Sequence, residues 1–206
     1  MLKVALTGGI ATGKSYVLDR LRARGVPCLD ADVLSHEAFN PGTGVTRAVA
    51  RRFGDGVLDA QGGVDRTVLG PIVFADPSAR RDLEAIVHPA VYRAIADGLR
   101  ALETAGQASV AVVDVPLLYE TGRAGDFDAV VATMCPRPIQ RARLMARGLT
   151  AGDADQRLDA QWPADQKAAR ADFVITTAGT FAETDAAVDE VVRQLMRRES
   201  GENRSR

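Results

Sequence analysis

The chain has 206 residues and a formal net charge of −1, with 46% hydrophobic and 26% charged residues, a balance that excludes a disordered chain. That length suits one α/β domain with room for an inserted sub-domain, and the near-neutral charge excludes a general nucleic-acid or membrane-surface binder. Two cysteines, Cys28 and Cys135, in no CxxC pair, exclude a disulfide framework, and no run approaches the roughly 20 apolar residues of a membrane span.

The opening "MLKVALTGG" lacks a basic region followed by a long apolar segment, so no secretory leader is expected. The expected setting is a reducing cytoplasm. Lys3–Thr7 is a short apolar run ending in glycine and reads as a buried parallel strand. Ser15–Arg24 places Val17, Leu18 and Leu21 on one face and stops at Gly25, as a helix does. Val26–Leu29 is a second short strand.

From about 40 to 105 the texture changes. "NPGTG" and "DAQGG" are turn signals, and Thr46–Phe53 and Ala79–Val87 carry helical patterns. This stretch reads as a mostly helical insertion for the substrate. Ser109–Val115, Ala129–Met134 and Phe173–Thr176 are further strands. The last helix opens on a capping box, Thr180 and Glu183, and repeats Val188, Val191, Val192 and Leu195 at helical spacing. A polar tail, 200–206, follows. Strands alternating with helices predict an α/β fold: a five-stranded parallel sheet with helices on both faces.

Gly8, Gly13, Lys14 and Ser15 meet the phosphate-loop pattern G-x-x-x-x-G-K-[ST], with a strand before and a helix after. A triphosphate needs many donors at short range, and backbone amides supply them where no Cβ intervenes. The helix start adds its dipole and free amides. Lys14 reaches the β- and γ-phosphates, and the Ser15 hydroxyl suits Mg²⁺. The loop to hold ATP is therefore Gly8, Gly9, Ile10, Ala11, Thr12, Gly13, Lys14, Ser15 and Tyr16.

Acids stand at strand ends, where open α/β sheets place ligands. In "CLDAD", Asp30 and Asp32 each suit either a base for an alcohol acceptor or a helix cap. Asp114 suits Mg²⁺ held through water, or a turn before Pro116; Glu120 suits either acid role. Residues 136–170 are rich in arginine. Gln140, Arg143 and Arg147 share a helical face. Such a stretch suits a lid that neutralises phosphoryl charge, or a solvated face paired with Asp153, Asp155, Asp159 and Asp165. His88, before Pro89, reads as a cap or core residue with an extended backbone. Trp162 and Tyr92 read as packing.

Five segments in order resemble the dephospho-coenzyme A kinases: "ALTGGIATGKS", "LDADVLSHE", "LEAIVHP", "DVPLLYE", and "QRARLMARG" with "RLDAQWPADQKAARAD". The resemblance spans nearly the whole chain. It implies the P-loop kinase fold of the nucleoside-monophosphate-kinase-like group, with a helical substrate insertion and a lid at about 137–170. It implies transfer from ATP, with Mg²⁺, to the ribose 3′-hydroxyl of dephospho-coenzyme A. Asp32 matches the base; Lys14 and Arg143 complete the catalytic set. Arg143 and Arg147 match lid arginines on ATP. His88, Leu117, Glu120, Arg157 and Gln161 match the substrate side, and Arg157, Gln161 and Lys167 match further lid positions. Tyr16 stands where a Thr is common. Thr177–Ala178–Gly179 replaces an Asn-x-Gly, so no Asn meets the base.

Two other functions compete. A kinase for another small alcohol or a nucleoside monophosphate would share the loop. A nucleotide-dependent regulatory protein would share it too, but would carry a base-reading NKxD, which is absent. The expected assembly is a monomer or weak homo-oligomer, with no nucleic acid or membrane as partner.

Overall fold

The computed structural model describes residues 1–106 and 108–201. In chain order these form β1 (Leu2–Gly8), α1 (Lys14–Ala23), β2 (Cys28–Asp30), α2 (Ala31–Ala38), α3 (Gly44–Phe53), α4 (Arg66–Ala75), α5 (Pro77–Ala105), β3 (Val110–Asp114) and β4 (Ala129–Met134). Then come α6 (Arg137–Ala146), α7 (Ala151–Asp159), α8 (Ala164–Ala168), β5 (Phe173–Thr176) and α9 (Phe181–Glu199). The expected polar tail begins with Ser200, which caps α9; its residues 202–206 lie outside the described residues. No helix among the described residues is long and apolar enough to cross a membrane.

The chain divides into two compact units, Met1–Leu29 with Ala101–Arg206, and Asp30–Arg100. The first holds the five-stranded parallel sheet, in the order β2-β3-β1-β4-β5, with helices around it. Residues 4–8 of β1 and all of β3 are buried, which is why they read as unbroken apolar runs rather than alternating ones. One core joins Val4, Leu6, Val112 and Val131 of the sheet to Val17, Leu18 and Leu21 of α1 and to Val188, Val191 and Leu195 of α9. These are the two faces read from spacing. α1 closes at Gly25, φ +76, with Gly25 N–H on Arg22 O and Val26 N–H on Leu21 O. The capping box of α9 is present in both directions.

The second unit is helical. Its helices start on side-chain caps: Asp30 for α2, Thr43 for α3 and Asp65 for α4. Here one expectation is corrected. His88 does not have an extended backbone, and Pro89 does not end a helix; both lie inside α5. The proline removes one rung of the ladder. Against that, Val87, Val91, Ile95 and Leu99 recur every four residues and are all buried. Their burial outweighs the local preference of the His–Pro step.

Candidate active site

The chain leaves β1 toward β2 on one side of the sheet and leaves β4 toward β5 on the other. The crevice beyond the carboxyl ends of β1 and β4 is thus the switch point, where such sheets bind ligands. Gly8 ends β1 there, in register with Thr133. A Cβ on Gly8 would run into Thr133 Oγ1 and stand 2.7 Å from Thr12 Oγ1. Glycine is required by this close approach.

Three buried threonines fix the loop from beneath. Thr12 Oγ1 donates to Gly9 O at 2.8 Å and shares a hydrogen bond of 2.7 Å with Thr133 Oγ1. Thr177 Oγ1 donates to Thr12 O at 2.6 Å. Gly13 has φ +84 and serves as N-cap of α1, and no side chain caps that helix. Its first-turn amides keep their capacity for an anion.

The tip of the loop is held from the side by α6, α7 and the segment after them. Ala11, Leu144, Ala154 and Leu158 form a small core, with Ile10 and Leu149 against it. Gln140 Nε2 donates to Ile10 O at 2.6 Å, and Ile10 N–H donates to Gln161 Oε1 at 3.0 Å. Arg143 Nη1 donates to Ala11 O at 3.1 Å and its Nη2 to Thr177 O at 2.6 Å. One guanidinium so bridges the phosphate loop and the turn after β5.

Charged groups cluster at the strand ends. Lys14 Nζ lies 2.5 Å from both carboxylate oxygens of Asp114, which ends β3. Lys167 is wholly buried; its Nζ donates to Pro116 O at 2.8 Å and pairs with Glu120 Oε1 at 2.7 Å. Burial pushes the Lys167 ammonium below its ordinary value; Glu120 opposes this and Lys14 adds to it. Leu117 is exposed on the same connection. Ser15 is exposed in the first turn of α1.

The two acids of "CLDAD" separate cleanly. Asp30 Oδ1 accepts from Asp32 N–H at 2.9 Å and Val33 N–H at 3.2 Å, so Asp30 is the cap. Asp32 is exposed in the first turn of α2. The helix begins at Ala31, directly after the Asp30 cap. Asp32 and His88 belong to the second unit, whereas the other candidates belong to the first. His88 meets the ring of Tyr92 edge-on.

Tyr16 has a clear placement. Its hydroxyl donates to Asp185 Oδ1 at 2.8 Å and its ring packs on Phe181, tying α1 to α9. Its side chain is directed to α9 rather than to the loop. The basic stretch divides. Arg137 and Arg141 pair with Asp155 and Asp159 across α6 and α7, as a solvated face would. Arg147, the C-cap of α6, and Arg157, on α7, are exposed. Trp162 stacks on Tyr119, with Arg170 over its ring, which bears out packing.

Sequence spacing had put Gln140 on the Arg143 face without giving it a role. The Thr12–Thr133 and Thr177–Thr12 bonds and the Lys167–Glu120 pair carried no local signal, because they join residues 47 to 165 apart in the sequence.

The residues suit Mg²⁺: one exposed hydroxyl, Ser15, and one carboxylate, Asp114, are hard oxygen donors, and Mg²⁺ on a triphosphate takes few protein ligands. No larger group of His, Cys, Asp and Glu could hold a metal among the described residues.

The profile described as dephospho-CoA kinase (CoaE) matches residues 2–183. A dephospho-CoA kinase of Anaeromyxobacter dehalogenans is 50% identical over 196 residues, covering 95% of this chain and 92% of the relative. One of Geobacter sulfurreducens is 43% identical over 189 residues, covering 91% and 95%. Among solved structures, dephospho-CoA kinase from Campylobacter jejuni superposes with a TM-score of 0.73 at 25% identity, covering 95% of this chain and 97% of that one. TT1252 from Thermus thermophilus gives 0.80 at 32%, covering 94% and 97%. A shikimate kinase from Acinetobacter baumannii, at 0.50 and 14% with 95% and 93% covered, shares the fold alone. A glycine-lined phosphate loop at the sheet's switch point, matched along nearly the whole chain by kinases of one kind, identifies this protein as a P-loop kinase that belongs to the dephospho-CoA kinase family.

Proposed function

We propose that the chain transfers the γ-phosphoryl of ATP to the ribose 3′-hydroxyl of dephospho-coenzyme A, giving coenzyme A and ADP. The observation that carries this is the uncapped α1 start at the switch point, in a chain of this family. The free amides of the Gly8–Ser15 loop bind the phosphates, while Ile10 N–H, taken by Gln161 Oε1, and Thr12 N–H, taken by Gly9 O, shape the loop. Lys14 turns from Asp114 to bridge the β- and γ-phosphates. Bound Mg²⁺, on Ser15 and through water on Asp114, would offset charge on the phosphates.

Asp32 orients the 3′-hydroxyl and accepts its proton as the oxygen attacks phosphorus. With Asp30 committed to capping, Asp32 is the carboxylate of that element left for the work. Arg143 and Arg147 neutralise the transferring group, and the α6–α8 segment acts as a lid that excludes water, without which ATP would be hydrolysed. His88, Leu117, Glu120, Arg157 and Gln161 bind the acceptor. The helical unit serves as the substrate insertion. The protein works in the cytoplasm as a monomer or weak homo-oligomer.

The test is ADP release with and without dephospho-coenzyme A, with the product identified by mass and by its 3′-phosphate. Release that is strictly acceptor-dependent is expected. Equal release without acceptor would favour a regulatory nucleotide hydrolase. Transfer to shikimate or a nucleoside monophosphate in its place would point to another small-molecule kinase.

A further inference from the structure

Lys167 has no exposed surface, and the phosphate loop does not need it for its own hydrogen bonds. An isolated buried ammonium is costly, and an apolar side chain of the same length would be cheaper for stability alone. Its surroundings suggest another use. Lys167 Nζ holds Glu120 Oε1 at 2.7 Å. The same oxygen accepts Trp162 N–H at 3.1 Å, while Glu120 Oε2 is buried with no partner among the described residues. Trp162 is also fixed by its ring, between Tyr119 and Arg170.

The residue before Trp162 is Gln161, whose Oε1 accepts Ile10 N–H. A backbone amide can only donate, so this bond sets which way the Gln161 carboxamide faces. The next peptide unit, Ile10–Ala11, is set in the same way, because the Ile10 carbonyl can only accept and so takes Gln140 Nε2. A continuous set of hydrogen bonds therefore runs from Lys167 through Glu120 and the 161–162 backbone to the tip of the phosphate loop.

We propose that Lys167 is a positioning residue: with Glu120 it forms a buried latch that seats residues 161–162, and through Gln161 it holds the Ile10 peptide in the conformation that receives the triphosphate. Lys167 touches neither nucleotide nor acceptor in this role. The proposal rests on the nucleotide-binding reading above.

The test is a double-mutant cycle read as Kd for MgATP by calorimetry and as KM for ATP, at least 20 °C below each variant's Tm. Gln161→Ala removes the last link and is expected to weaken MgATP about tenfold, the size of one hydrogen bond, with little change in Tm. Lys167→Met is expected to weaken it by a similar factor. The double variant is expected to be no worse than Gln161→Ala alone, because both changes break one path. A double variant weakened by the product of the two factors, about a hundredfold, would overturn the latch. So would a Lys167→Met chain that binds MgATP as the parent does.

Should Lys167→Met fail to fold, the cycle is run on Lys167→Met/Glu120→Gln, which strands no charge and keeps an acceptor for Trp162. Weakened binding in that background that adds nothing to the effect of Gln161→Ala supports the latch, and binding equal to the parent's overturns it. Weakened binding that adds fully to Gln161→Ala overturns it. A parent chain that binds no MgATP overturns both this proposal and the reading beneath it, whereas normal parent binding with additive variants overturns the latch alone.

Discussion

Replacing Arg143 with methionine keeps the length of the side chain and removes its fork of donors. Four hydrogen bonds are lost: to Ala11 O at 3.1 Å, to Thr177 O at 2.6 Å, to Thr177 Oγ1 at 3.3 Å and a weak one to Cys135 Sγ at 3.5 Å. A hydrogen bond from a charged donor contributes about 1.5–3 kcal/mol when its partner would otherwise be stranded. Arg143 is half-buried, so water recovers part of this, and about 2–3 kcal/mol in total is the expected loss. For a chain of this size that lowers Tm by about 5–10 °C. The loss also frees the loop tip from the turn after β5, so KM for ATP should rise at least tenfold. Arg143→Lys keeps a charge but reaches one carbonyl at most, and should fall between the two. Differential scanning calorimetry and steady-state kinetics at 25 °C measure both. A methionine variant within 1 °C and twofold of the parent would refute the bridging role. A lowered Tm with unchanged KM would confine Arg143 to stability.

Three further outcomes are expected. Asp32→Asn should lower kcat by a hundredfold or more while Kd for MgATP stays within threefold, since base catalysis is lost and the loop is untouched; turnover at the parent rate would remove Asp32 from the chemistry. Asp172 is partly buried, which raises its pKa, but Arg198 and the Val130 amide more than offset this and hold it below its usual 3.8. Its contribution is full above that value and is lost as pH falls through the lowered one, so the acid limb of Tm against pH should be shallower in Asp172→Asn. Burial pushes the Cys28 thiol up to about 11, against opposition from Arg22, and Cys135 is raised by burial too. At pH 8 about a thousandth of Cys28 is thiolate, so a disulfide reagent should titrate the folded chain slowly and two thiols quickly after guanidinium.

Local rules were enough for much of the fold. β4 and β5 were bounded to the residue by their β-branched runs, and the α9 capping box by Thr180 and Glu183. The phosphate loop was legible because its glycines answer to backbone geometry, as the collision at Gly8 and the positive φ at Gly13 make concrete. His88–Pro89 was misread, because the preference of the residue before proline is a local term and the buried face of α5 is not. "CLDAD" could not be resolved by spacing, since either acid suits a cap; only the two amides on Asp30 separate them. Tyr16 had no explanation in the loop because its partners, Asp185 and Phe181, lie at the far end of the chain. Arginines of the basic stretch look alike in sequence, yet Arg143 meets backbone carbonyls and Arg137 meets carboxylates.

Ala11 holds φ at +59, a left-handed conformation that costs a non-glycine residue about 1–2 kcal/mol. Its methyl lies in the core made by Leu144, Ala154 and Leu158, and burying one such group returns about 0.8 kcal/mol. The burial offsets about half of the torsional cost, and only while α6 and α7 are seated. Lifting those helices withdraws the compensation and leaves the torsion, so the tip relaxes as they rise. In the lid motion proposed above, departure of the helices would loosen the loop tip at the same moment, and Ala11→Gly, by removing the torsional strain, should slow the release of ADP relative to its capture.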